Sequence, residues 1–161
     1  MSGRLARLAK VAAAVAATAG AGSMASKDVN TPWYAALEKP PYQPPGAAFP
    51  IAWTTLYTDI ALTAAHALDR LESAGRTEEA AAYRRALALN LVVNAGWSWV
   101  FFRWHRLGPA VGVAGLLALS SADLVRRTAR VSPAAGAALA PYPAWCAFAT
   151  VLSGDIARRN R

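Results

Sequence analysis

Asn90, Asn94, Trp97 and Phe101 recur at helical spacing, so two amides and two aromatic rings project from one face. An amide in an apolar segment must find a hydrogen-bond partner on another helix or on a ligand, and that need turns the face inward. Trp53 and Tyr57 form a second such pair at i and i+4. Tyr142, Trp145, Ala149 and Leu152 align on a third helix, which Pro141 and Pro143 kink or delay. Flat aromatic walls interrupted by a few amides suit the binding of a flat ring compound, and stripes of this kind also serve ordinary core packing.

Other chemistry is poorly represented. The chain has no nucleophile elbow, phosphate loop or CxxC pair. His66 has only Asp69 one turn away and His105 has no metal-type ligand at that spacing, so no metal site is expected. Asp59, inside an apolar run, is either a functional carboxylate or a structural partner of His66. The single cysteine, Cys146, reads as a small apolar filler.

The elements that must hold these residues are set by composition. Of 161 residues 55% are hydrophobic and 16% charged, with a mean hydropathy of +0.24; soluble domains carry about 25% charge. Net charge is +8, yet the basic residues sit between apolar runs rather than along one stripe, so nucleic acid is not an expected partner. The runs are Leu5 to Ala25, Phe49 to Leu68, Tyr83 to Trp104, Leu107 to Val125 and Ser132 to Ala157. Each approaches the ~20 residues that cross a hydrocarbon core. The expectation is a single all-α domain over residues 1–161, an integral membrane bundle of five transmembrane helices. The first run also has the make-up of a cleavable secretory leader, with Ala21, Gly22, Ser23 and Ala25 as small residues at its end.

Residues 69–79 are too charged for lipid and read as a solvated loop. Residues 27–48 carry Trp33, Tyr34 and Tyr42 among prolines 40, 41, 44 and 45, a semi-rigid segment suited to roof a cavity or to join the interfacial aromatic belt. With five spans, the side holding the amino terminus carries the larger share of the 17 Lys and Arg, which makes that end cytoplasmic. Gly108 and Gly112, or the Ala-rich first run, offer small-xxx-small spacing, candidate surfaces for a homodimer.

Several strings in order resemble the TspO/MBR family: Trp33-Tyr34…Leu37…Lys39-Pro40…Pro44-Pro45, Trp53-Thr54…Leu56-Tyr57, Asn94…Trp97…Phe101-Phe102, and Pro141-Tyr142…Ala144-Trp145…Ala147-Phe148-Ala149-Thr150…Leu152. The resemblance spans most of residues 33–158. It implies a five-helix membrane bundle, often dimeric, in the plasma (inner) membrane of a bacterium. Beneath its first loop would lie a cavity for porphyrin or haem, sterols, and isoquinoline-carboxamide or benzodiazepine drugs, for sensing, sequestration or transport, with no cofactor required. Position by position, it implies a ligand site of Trp33, Trp53, Tyr57, Asn94, Trp97, Trp145, Phe148 and Ala149. Asn90 joins them from its place on the Asn94 face and stands where the family usually has Gln. In this setting Lys39 is a candidate to meet ligand carboxylates. The alternative function is a tryptophan-assisted photo-oxidation of porphyrin in which Trp145 would take part. Ala47 stands where a tryptophan associated with that activity is frequent. Ser153 and Gly154 break the sterol-recognition pattern, so sterol is not the expected ligand.

Overall fold

A computed structural model describes residues 2–27 and 31–161. Every regular element among them is helical: α1 (Ser2–Ala25), α2 (Pro32–Ala36), α3 (Ala48–Ser73), α4 (Thr77–Ser98), α5 (Leu107–Val131), α6 (Pro133–Leu139) and α7 (Pro141–Arg159). A π-helical segment, Trp99–Arg103, extends α4. The interruption at Ala140 comes where Pro141 and Pro143 withdraw two backbone donors. α5 packs along α7 and against α4, α1 packs on α3 and α4, and α6 touches α5 and α3.

Gly3–Ala25, Leu107–Val131 and Pro133–Arg159 are long and apolar enough to cross a membrane. α3 and α4 fall short of that measure. The first carries Thr54, Thr55, Thr58, Asp59, Thr63 and His66, and the second opens with Glu78, Glu79, Arg84 and Arg85. Leu62 of α3, Leu89 and Val92 of α4, and Leu116 and Leu119 of α5 are nevertheless exposed, an outward apolar surface for which lipid is the natural solvent.

Helix α1 belongs to the packed bundle: Val11 and Val15 are buried in the same core as Leu56, Ile60, Leu68, Leu91, Leu117 and Leu139. At this end of the molecule the charged stretch departs from the expected loop. α3 continues to Ser73, leaving residues 74–76 as the turn, with Gly75 at φ 70 in the left-handed region. Arg7 of α1 accounts for the extra helix. It holds Asp69 at 2.5 Å and also pairs with Glu72, to which Arg84 of α4 adds a second guanidinium. The hydrogen bond from Arg7 holds the Glu72 carboxyl below the usual carboxylate range. Nearby, Tyr83 and Thr128 share a buried hydrogen bond of 2.8 Å. Gly136 lets α6 rest on α5, since a Cβ there would lie 2.5 Å from that of Ala129.

Asp59 is half-buried and forms no ion pair with His66. The two are a full two turns apart, about 10 Å along the axis at 1.5 Å per residue, beyond reach of a direct contact.

Candidate functional site

At the opposite end the bundle opens into a cavity of about 630 Å³, within the range of small-molecule sites. Its wall combines Trp53 and Tyr57 of α3, Asn94 and Trp97 of α4, Phe101 and Phe102 of the π-helical segment, and Trp145, Phe148 and Ala149 of α7. Ala19, Gly22 and Ser23 close the α1 side, while Tyr34, Gln43 and Gly46 close the loop side. No Lys, Arg, His, Asp or Glu is in the lining among the described residues.

The rings brace one another at angles that keep them from filling the space. Trp97 stacks on Phe101 with centroids 5.4 Å apart and meets Phe102 edge-on at 5.8 Å. Trp145 stands edge-on to Phe49 at 6.0 Å, and Trp53 is tilted against Tyr57 at 5.4 Å. Such contacts favour offset and edge-to-face geometry over dense stacking. The π-helical turn is what admits both phenylalanines. Its wider ladder, in which the Trp104 N–H reaches back to the Trp99 carbonyl at 2.9 Å, brings adjacent residues 101 and 102 to the wall together. Trp99 Nε1 anchors the turn to α1 through the Ala21 carbonyl at 3.1 Å.

Below the wall runs a chain of neutral hydrogen bonds. Tyr57 Oη donates to Asn94 Oδ1 at 2.8 Å, Asn94 Nδ2 to Tyr142 Oη at 2.9 Å, and Tyr142 to Asn90 Oδ1 at 2.8 Å. Asn90 Nδ2 then donates to Ser121 Oγ at 3.1 Å and Ser120 Oγ at 3.2 Å. Both amides thus find the partners that an apolar surrounding demands. Two other atoms of wall residues, Trp97 Nε1 and Gln43 Oε1, are buried without a partner.

The roof is formed by residues 31–47, ahead of α3. Thr31 caps α2, accepting the Tyr34 N–H at 3.4 Å, and Pro32 occupies the first turn. Lys39 folds back on this segment, donating to the carbonyls of Tyr34 at 2.5 Å and Leu37 at 3.2 Å with its ammonium 4.4 Å above the Tyr34 ring. It lies outside the lining, so it is not placed to meet a ligand carboxylate there. Burial raises the Tyr34 phenol above its ordinary range, partly offset by a hydrogen bond from Gln43. The roof is fastened to the end of α7 by Asn160, which accepts the Glu38 N–H at 3.0 Å and donates to the Glu38 carbonyl at 2.9 Å. Tyr42 donates to Asp155 at 3.1 Å. Partial burial and this carboxylate both raise the Tyr42 phenol.

Of the residues singled out in the sequence, Trp53, Tyr57, Asn94, Trp97, Trp145, Phe148 and Ala149 meet on one wall. Trp33 does not line it. Its ring stacks on His105 at 3.8 Å and meets Phe101 edge-on at 6.1 Å, outside the cavity. His105 accepts φ 54 to make the tight turn into α5, a left-handed conformation uncommon outside glycine. Asn90 is fully buried one helical turn from Asn94 and acts within the hydrogen-bond chain. Gln43, Phe49, Phe102, Asp155 and Asn160 were not evident from spacing, because each is brought in by the path of the roof or by the π-helical turn.

Apolar-surfaced helices around an aromatic chamber, with a fastened roof, define a helical membrane protein with an internal cavity. The chain belongs to the TspO/MBR family, whose sequence model matches residues 10–159. It is 34% identical over 148 residues to a tryptophan-rich sensory protein of Cereibacter sphaeroides, covering 92% of this chain and 87% of that one. It is 35% identical over 130 residues to the human translocator protein, covering 80% and 75%. It is 33% identical over 129 residues to protein CrtK of Rhodobacter capsulatus, covering 80% and 78%.

Proposed function

We propose that this chain is a five-span protein of a bacterial inner membrane, amino terminus cytoplasmic, that binds porphyrin or haem-type tetrapyrroles for sensing, sequestration or transport. The observation that carries the reading is the convergence of Trp53, Trp97 and Trp145 from three helices on one cavity of about 630 Å³. A tetrapyrrole offers these indoles a broad flat face. Its carboxylates belong at the mouth, since the lining has no cation to receive them. The names of the two relatives, sensory protein and translocator protein, are compatible with either outcome of binding. Titration of the purified protein with protoporphyrin IX should quench tryptophan fluorescence saturably. A linear, unsaturable response would remove the proposal.

Trp145 supports a second reading, tryptophan-assisted photo-oxidation of bound porphyrin, because its ring is part of the wall. Illumination of the complex should then bleach porphyrin faster than in free solution, and a Trp145→Phe variant should abolish the difference. Equal bleaching with and without protein would exclude this reading.

For assembly, we propose a homodimer through the Gly108/Gly112 face of α5. A Cβ at either glycine would meet nothing within 4 Å, so a second helix could approach closely. A Gly112→Leu variant that remained dimeric in detergent would rule this surface out.

A further inference from the structure

A second opening lies on the outside of the bundle, at the turn from α4 into α5. It is an open groove of about 460 Å³ lined by Val100, Trp104, Arg106 and Pro109. The turn gives the groove its shape. The Arg106 N–H reaches back to the Val100 carbonyl at 2.9 Å, which fixes the root of the arginine beside the end of the π-helical segment. His105, in the left-handed region, stacks its ring on Trp33 of the roof, while Trp104 and Arg106 on either side of it line the groove. Trp104 is 60% exposed. Arg106 is exposed too, and its guanidinium has no hydrogen-bond or ion-pair partner among the described residues.

An indole and an unpaired guanidinium at a helix end suit headgroup depth, the ring at the boundary and the cation within reach of phosphate. The surface leading away from the groove is apolar. Leu89, Val92, Gly96 and Val100 follow one another at helical spacing along α4, with Leu89 60% and Val92 69% exposed. On α5, exposed Leu116 lies two turns beyond Pro109 on the same side. A phospholipid is larger than the groove, so the groove takes its phosphate end and the acyl chains run out over these apolar faces.

We propose that this groove binds one anionic phospholipid, its phosphate held by Arg106 beside Trp104 and its chains lying along α4 and α5. The inference rests on the bilayer placement of the bundle and is independent of what fills the aromatic cavity. A guanidinium fork matches two phosphate oxygens at once. A choline lipid offers the same phosphate but brings a quaternary ammonium close to Arg106, with no acidic side chain in the lining among the described residues to offset it. A glycerol headgroup carries no such repulsion. Pro109 stands about a quarter turn round α5 from the Gly108 and Gly112 face, so the lipid lies beside the proposed dimer surface.

The test uses the full chain in phosphatidylcholine nanodiscs, with phosphatidylglycerol brominated near the headgroup end of its acyl chains as the probe and equally brominated phosphatidylcholine as the comparison. Bromine quenches an indole on contact. Half-quenching should come at about tenfold lower mole fraction with the glycerol lipid, the worth of one charge-assisted hydrogen bond. Trp104→Phe should remove this low-fraction component. Arg106→Gln should bring the two lipids to within about twofold, and Arg106→Lys, which keeps the charge and loses the fork, to about threefold. Arg161→Gln removes an equal charge from the same end of the molecule and should leave the tenfold preference intact. Excess glycerol 3-phosphate should not displace the lipid.

Equal quenching by the two lipids, a low-fraction component that survives Trp104→Phe, or a preference unchanged in Arg106→Gln overturns the inference. So does an equal loss in Arg161→Gln, which marks diffuse attraction in place of a site, or displacement by glycerol 3-phosphate, which marks a free-phosphate site. Protoporphyrin IX titrated into a separate sample of the same discs reads the aromatic cavity. Saturable porphyrin binding without lipid preference sinks this inference alone, whereas lipid preference without porphyrin binding supports it and sinks only the tetrapyrrole reading.

Discussion

The two ends of the bundle are built from different side chains. One is a close-packed aliphatic core of Leu56, Ile60, Leu68, Leu87, Leu117, Leu124 and Leu139, closed by the Arg7, Asp69, Glu72 and Arg84 network. The other is a cluster of Phe101, Leu152 and Ile156 surrounded by Trp33, Phe49, Trp97, Phe102 and Phe148, and the void lies between it and Trp53, Tyr57 and Trp145, which pack on the first core. Aliphatic side chains interdigitate to the density of an organic crystal, whereas rigid rings held edge to face prop one another apart. The aliphatic end stabilises the fold, which lets the aromatic end leave space.

The largest effect should come at the packed end. Gly136→Ala forces a methyl against the Ala129 Cβ and backbone, so α6 must move, with a loss of roughly 3 kcal/mol. Thermal unfolding in detergent checks this, and porphyrin affinity of the folded fraction should stay within about twofold. Should binding decline along with stability, the ends are not separable.

Trp145→Ala reverses the pattern. Porphyrin affinity should drop by about thirtyfold, ~2 kcal/mol, while the unfolding temperature falls less than in Gly136→Ala because the ring is only half-buried. Fluorescence titration and calorimetry on one sample give both numbers.

Asn160→Ala probes the fastening of the roof. Losing both bonds to Glu38 should speed ligand release roughly fivefold, ~1 kcal/mol, at unchanged stability, as read by stopped-flow displacement.

The smallest effect concerns pH. Because Arg7 depresses the Glu72 carboxyl in the folded state, its contribution is complete above the unfolded value and disappears as pH falls through the folded one. Stability should therefore decline with acidification by at most about 1 kcal/mol from this partly exposed pair. Glu72→Gln should flatten that part of the pH profile.

These contrasts also mark what the chain made legible. Helical spacing was enough to put Trp53 with Tyr57, and Asn94 with Trp97, because 3.6-residue periodicity fixes which side chains share a face. It could not separate Asn90 from Asn94, since one turn along a helix keeps direction but changes depth, and depth depends on where α7 places Tyr142. Resemblance places Trp33 in the cavity, whereas its ring stacks on His105, the left-handed residue of a turn that no sequence pattern signals. α3 runs further than the charges of residues 69–72 suggest when read alone, because the Arg7 that pairs with them lies 62 residues from Asp69.

The π-helical segment at residues 99–103 has one more consequence. An ordinary helix advances by about 100° per residue, so inserting or deleting a single residue at this turn would rotate which rings confront the chamber without altering any of them. Related genes could retune their ligands by changing helical phase at one codon, while every tryptophan keeps its identity.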